Sequence, residues 1–129
     1  MGVRIESGDP KFLLIHYEGE VSHGDVDQVD DRIDAYLAKR QPFVIVVDTA
    51  GSAPPVPAVR SRLSSMMTKD SDKKKPYLLG CAMVLTSSLM RGVLTALKWL
   101  SPPPIPVETF GTREAAETWA RAQLQKTAA

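Results

Sequence analysis

The chain has 129 residues, 43% of them hydrophobic and 24% charged, and sixteen basic against fifteen acidic side chains give a formal net charge of +1. That is the composition of one globular domain, residues 1–129, with a packed core, and a near-neutral field without interleaved aromatic and basic residues excludes nucleic acid as the expected partner. The single Cys81 excludes a disulfide framework or thiolate metal centre, Arg91 and Lys98 keep the longest apolar stretch short of the roughly 18 residues of a membrane span, and an N-terminus without an apolar run places the protein in the cytoplasm.

In chain order, Val3 to Glu6 reads as a short strand, Ser7 to Pro10 as turn chemistry, and Lys11 to Glu18 as a second strand with Phe12, Leu13, Leu14 and Ile15 in a row. So short a connection allows only an antiparallel hairpin. A helix is predicted from Ser22 to Arg40, where Val26, Val29, Ile33 and Leu37 form one stripe and aspartates cover the rest. Those carboxylates alternate around the helix instead of converging as metal ligands do, so the acidic face is expected to be solvated and no metal site is read there.

Pro42 ends the helical region, and Phe43 to Val47 is an apolar run, β-branched in all but its first residue, that finishes at Asp48. Thr49 to Val56 is expected to be a proline-stiffened loop, with Pro57 opening a helix that turns Val59, Leu63, Met66 and Met67 inward and Arg60 and Arg62 away. Lys69 to Lys75 is read as a polar, solubilising loop. Tyr77 to Leu85 is uncharged and continuous, as a central parallel strand buried on both faces should be, and the hydroxyls of Thr86, Ser87 and Ser88 stand where a helix to Leu100 begins. Pro102 to Pro104 break the chain before a last strand, Ile105 to Phe110, and a last helix, Thr112 to Gln125, with Ala115, Ala116, Trp119 and Ala120 towards the core. The fold class is therefore α/β: a mostly parallel five-stranded sheet with an N-terminal antiparallel hairpin and four helices.

Ligand sites of such sheets gather at the carboxyl ends of the strands. That rim is expected to hold His16 and Tyr17, Asp48 to Ser52, Thr86 to Ser88, and Glu108 to Gly111. A hydrolase triad of Ser52 or Ser87 with His16 and Asp48 lacks a G-x-S-x-G elbow, a phosphoacceptor built on Asp48 and Thr86 lacks a second acidic pair and a lysine, and no glycine-rich phosphate loop is present. No catalytic residue or cofactor is assigned.

On the hairpin, on Phe43-Val-Ile-Val-Val-Asp48, and on the run Gly80 to Gly92 with Ala96, Trp99 and Pro102 to Pro104, the chain resembles the STAS family, of SpoIIAA-like anti-sigma-factor-antagonist fold, in the branch often labelled STAS/SEC14-like. The resemblance implies a small non-catalytic signalling or scaffold module that binds another protein, often switched by phosphorylation of a serine after the strand equivalent to Phe43–Val47. The family's Asp-Ser-Ser-Gly motif is absent, which leaves Thr49 or Ser52 as substitutes. The candidate interaction or ligand rim is Asp48, Thr49, Gly51, Ser52, Thr86, Ser87, Ser88 and Arg91. The alternative function is binding of a small anionic or lipidic ligand at that rim, although five strands in 129 residues leave little room for a separate acyl-chain cavity.

Two finer expectations concern the helix after Thr86. Arg91, Thr95 and Lys98 fall within about 60° of one another on the helical wheel, leaving a wide apolar circumference that neighbouring helices should cover. Otherwise Met90, Leu94 and Trp99 form a homodimer or partner interface. Arg91, unfavourable to the dipole of a first turn, is expected to pair with Asp48 or with carbonyls of the Gly51–Pro55 loop, the alternative being an anion site with Ser87 and Ser88.

Overall fold

The computed structural model describes residues 2–100 and 105–128, with the side chains of Met67, Ser71, Met90, Val93, Leu97, Lys98, Leu100, Thr127 and Ala128 outside that description. The expected inward Met67, the interface residue Met90, the helical-wheel positions Val93, Leu97, Lys98 and Leu100, and the break at Pro102 to Pro104 therefore lie outside the described residues. The elements are β1 (Gly2–Asp9), β2 (Phe12–Gly19), α1 (His23–Ala38), β3 (Phe43–Ser52), α2 (Pro57–Thr68), α3 (Ser71–Lys74), β4 (Leu78–Val84), α4 (Ser88–Leu100), β5 (Val107–Phe110) and α5 (Arg113–Ala128). The α/β sheet with its N-terminal hairpin is as expected, but a short helix, α3, stands where a loop was read, making five helices among the described residues.

The five strands lie in the order β1-β2-β3-β4-β5, β1 antiparallel to β2 and every later pair parallel. One row of the sheet reads Ile5, Ile15, Val47, Met83, Thr109. Because the parallel strands advance in one direction, right-handed crossovers put α1, α2 and α4 on the same face and leave the other to α5. Alternation along the strands follows: Leu13, Ile15, Phe43 and Ile45 pack with α1 and α2, whereas Phe12, Leu14, Val44 and Val46 pack with Ala116 and Ala120 of α5. Both faces are covered, so Phe12 to Tyr17 and Phe43 to Val47 are buried without interruption.

Local chemistry fixes the ends. The hairpin turn is only Pro10 and Lys11, closed by the Lys11 N–H donating to Asp9 Oδ1 at 2.9 Å. Ser22 and Asp25 form a reciprocal capping box at the start of α1. Thr112 caps α5 through the Ala115 N–H, 3.2 Å away, and Ala115 itself is exposed, not core as expected. On α5 the core contact is close enough to demand glycine opposite it: a Cβ on Gly80 would lie 2.8 Å from the Trp119 ring.

The acidic face of α1 is not simply solvated. Asp30 is buried, and its Oδ2 accepts from Arg62 Nη2 and from Lys69 Nζ, each at 3.0 Å, while Arg62 also reaches Asp27. Arg62, expected to face away from the seam, instead ties α2 to α1, and the Nε of Arg60 is enclosed without a partner. Burial alone would raise the Asp30 pKa, and the hydrogen bonds and charges of Lys69 and Arg62 overcome it and hold the carboxyl below its ordinary range.

Lys74 departs furthest from the solubilising loop read for this segment. It is buried, and its ammonium donates to Met66 O at 2.5 Å, closing the connection from α2 to β4. Between the sheet and the helices of that face lies a cavity of about 120 Å³. Cys81 and Met83 line it, which is why β4 keeps partial accessibility at these two positions despite its central place.

Candidate functional site

The carboxyl ends of the strands gather most of the expected rim, but in two groups separated by the sheet. Asp48 shares its face with Val44 and Val46, under α5. Its Oδ1 accepts from the Ala50 N–H at 3.0 Å and its Oδ2 is 3.6 Å from His16 Nδ1. His16 Nε2 is 3.2 Å from Glu6 Oε2 and 3.3 Å from Arg113 Nη1, and Arg113 also pairs with Glu117 at 3.2 Å. Glu6 and Arg113 were not among the expected rim residues. Their signal was positional: Glu6 is mid-strand in β1, two residues from Arg4, which pairs with His16, and Arg113 opens the helix that follows β5.

Arg91 belongs to the other group. It is exposed, in the first turn of α4, with its N–H donating to Ser87 O at 3.1 Å. No ion pair joins it to Asp48, whose Oδ2 instead faces His16 Nδ1. The expected pair fails for a geometric reason: Asp48 projects to the α5 face, and α4 covers the opposite one. Thr86, Ser87 and Ser88 are exposed beside Arg91.

The segment after Asp48 is strand, not loop. Beyond a register shift between His16 and Glu18, β2 continues alongside it, pairing Glu18 with Gly51 and Gly19 with Ser52, and the Ala53 N–H donates to Gly19 O at 2.9 Å. Thr49 is 6% exposed and its hydroxyl donates to Val84 O at 2.6 Å, locking the end of β3 to the end of β4. It is therefore not a surface hydroxyl. Ser52 is half-buried and donates to Ala53 O at 2.9 Å, whereas Gly51 is exposed.

The apolar exposure is also redistributed. Leu94 is 4% exposed and lines the cavity, so it belongs to the core and not to an interface. Trp99 is 83% exposed near the end of α4. At the rim, Val56 before α2 is 59% exposed and Leu89 in the first turn of α4 is 61% exposed. Val56 follows β3 and Leu89 follows β4, on crossovers that share one face, and Leu89 adjoins Ser88 in the chain. They were missed because Val56 falls in a segment read only as a connecting loop and a leucine in an amphipathic stripe looks like an ordinary core position. Among the described residues no cluster of His, Cys, Asp and Glu could hold a metal ion, and no helix is long and apolar enough to cross a membrane.

No protein-family model and no curated protein matches the sequence. Solved structures do. A protein of the DUF3478 family with a SpoIIAA-like fold from Shewanella loihica PV-4 aligns with a TM-score of 0.63 at 20% identity, over 92% of this chain and 94% of that one. The anti-sigma factor antagonist SpoIIAA in its unphosphorylated form aligns with a TM-score of 0.66 at 16% identity, over 92% and 97%. An anti-sigma factor antagonist from Mycobacterium paratuberculosis aligns with a TM-score of 0.57 at 18% identity, over 92% of each. The chain has the SpoIIAA-like fold, as its resemblance to the STAS family implied.

Proposed function

We propose that the protein is a non-catalytic regulatory module that binds another protein through the strand-end rim on the α2/α4 face. The observation that carries this reading is the exposure of an apolar side chain after each of two adjacent strands, Val56 after β3 and Leu89 after β4, the latter in the stretch that also exposes Thr86, Ser87, Ser88 and Arg91. Apolar anchors ringed by polar groups and an arginine are the composition of a protein-docking patch. Two of the structural neighbours being anti-sigma factor antagonists agrees with such a role. Gly51 and Ser52 border the patch, and Thr49, whose hydroxyl is committed to Val84 O, takes no part as a modification site. The Asp48–His16 group lies on the α5 face and holds that corner of the sheet together.

The test is quantitative affinity purification from the cells that make the protein, using wild type and the Val56→Glu/Leu89→Glu variant as baits. Both baits must first give the same circular dichroism spectrum and melting profile. At least one protein is expected to be retained by the wild type and depleted roughly tenfold on the variant, a loss of about 1.4 kcal/mol. An identical set on both baits overturns the docking patch.

A further inference from the structure

The cavity between the sheet and its three-helix face is unused by the docking reading, and its chemistry is specific. Its wall is almost entirely hydrocarbon, with Ile15, Ile45, Val47 and Met83 on the sheet side and Val29 and Leu63 opposite. Three polar side chains interrupt it, Tyr17, Lys74 and Cys81. Tyr17 is 7% exposed and its hydroxyl is enclosed with no hydrogen-bond partner. Lys74 is 4% exposed, and Met66 O is its one hydrogen-bond acceptor among the described residues, since the carboxylates of Asp30, Asp34 and Asp70 are engaged by Lys69.

Interiors are close-packed, and buried polar groups are almost always partnered, so a void and an orphaned hydroxyl on one wall are two departures at the same place. Burial pushes the Lys74 pKa down, burial and the Cys81 thiol push Tyr17 up, and burial pushes Cys81 up to about 12. A bound anion would reverse the first of these effects by giving the ammonium a counter-charge. Both strong polar groups, the ammonium and the hydroxyl, are donors. Their complement is a carboxylate, and the complement of the remaining wall is a compact hydrocarbon. A volume of about 120 Å³ sets the size, because an apolar cavity of roughly 150 Å³ accommodates benzene.

We propose that this cavity is a binding site for a small apolar monocarboxylate of benzoate or hexanoate size, its hydrocarbon against Ile15, Ile45, Val47 and Met83 and its carboxylate paired with the Lys74 ammonium. The site is independent of the docking rim. A long acyl chain does not fit the volume, which agrees with the small room for one read from chain length.

The test is NMR titration of the methyl- and amide-labelled protein at neutral pH with sodium benzoate and sodium hexanoate. Toluene serves as the body without the head group, and acetate as the head group without the body. Saturable shifts and nuclear Overhauser contacts from the benzoate ring to the methyls of Ile45, Val47 and Met83 are expected. Binding should weaken roughly tenfold in Lys74→Met. Cys81→Leu, which fills the cavity and keeps Lys74, should abolish the contacts; this variant decides the matter if Lys74→Met fails to fold. Toluene binding as tightly as benzoate overturns the carboxylate assignment. Shifts confined to Ser87, Ser88 and Arg91, unchanged binding by Cys81→Leu, or no saturable shift with any of the four compounds overturns the cavity site.

Discussion

Replacing Asp30 by Asn keeps the shape of the side chain and removes the charge to which two cations from α2 and its C-terminal end converge. In the folded protein Asp30 Oδ2 accepts from Arg62 and Lys69, each at 3.0 Å, and the Asp30 side chain is 8% exposed. Two hydrogen bonds to a charged group contribute about 1.5–3 kcal/mol apiece when fully desolvated. The Arg62 and Lys69 side chains are 27% and 41% exposed and can fall back on Asp27 and Asp34, so the sum must be discounted for solvent and for these alternatives. A net loss of about 2 kcal/mol is expected, equivalent to a fall in Tm on the order of 5–10 °C for a domain of this size. Urea unfolding followed by circular dichroism at neutral pH reads it directly. The pKa of Asp30 is lowered on folding, so its contribution is complete above the unfolded-state pKa and is lost as pH falls through the folded-state pKa. Wild type and Asp30→Asn should therefore converge in acid. Equal midpoints at neutral pH, or a gap that persists undiminished once carboxylates are protonated, would refute the claim that this charge joins α1 to α2.

Gly80→Ala places a Cβ 2.8 Å from the Trp119 ring, which is braced against Phe110 at a centroid distance of 5.9 Å, and should cost about 1–3 kcal/mol in urea unfolding; Trp119→Phe in the same chain should return part of that loss, and a purely additive double mutant would exclude the clash. Thr49→Val removes the donor to Val84 O while keeping the branched shape, so a loss of about 1–2 kcal/mol without a change in the circular dichroism spectrum is expected, and an unchanged midpoint would show the bond to be idle. With its pKa pushed up to about 12, chiefly by burial and despite the opposing charge of Lys74, the Cys81 thiol should react with a thiol reagent at mildly alkaline pH far more slowly than a free cysteine, whereas labelling at the rate of a free cysteine would overturn the raised pKa.

The sheet was legible because its strands are covered on both faces, which writes each as an unbroken apolar run bounded by turn residues: Phe12 to Ile15, Phe43 to Val47 and Leu78 to Val84. The extension of β3 to Ser52 was not legible, since Gly51 and the following prolines punctuate the sequence as a loop does and the partner that makes it strand, the far end of β2, is non-local. The Asp48–Arg91 error had a readable remedy. Asp48 has the parity of Val44 and Val46, and the one-way order of crossovers already assigns α4 to the other face. Asp30 was similarly within reach, being four residues after Val26 and three before Ile33 on the edge of the buried stripe of α1. The cavity and the burial of Lys74 were not, because a void depends on how side chains from eight elements fail to meet, and no local pattern records that.

The order of the strands matters for a chain that emerges from the ribosome one residue at a time. Each strand from β2 onward docks on the one made just before it, so the sheet can grow edge to edge during synthesis without a gap reserved for a later strand. The face later covered by α5 has no such provision. Until the last sixteen-residue helix is translated, Phe12, Leu14, Val44 and Val46 present a bare apolar surface on a sheet that is otherwise complete. The nascent domain is thus most adhesive between the completion of β5 and the emergence of α5, and ribosome-bound chains stopped before Arg113 should be held by chaperones that let go once α5 is made.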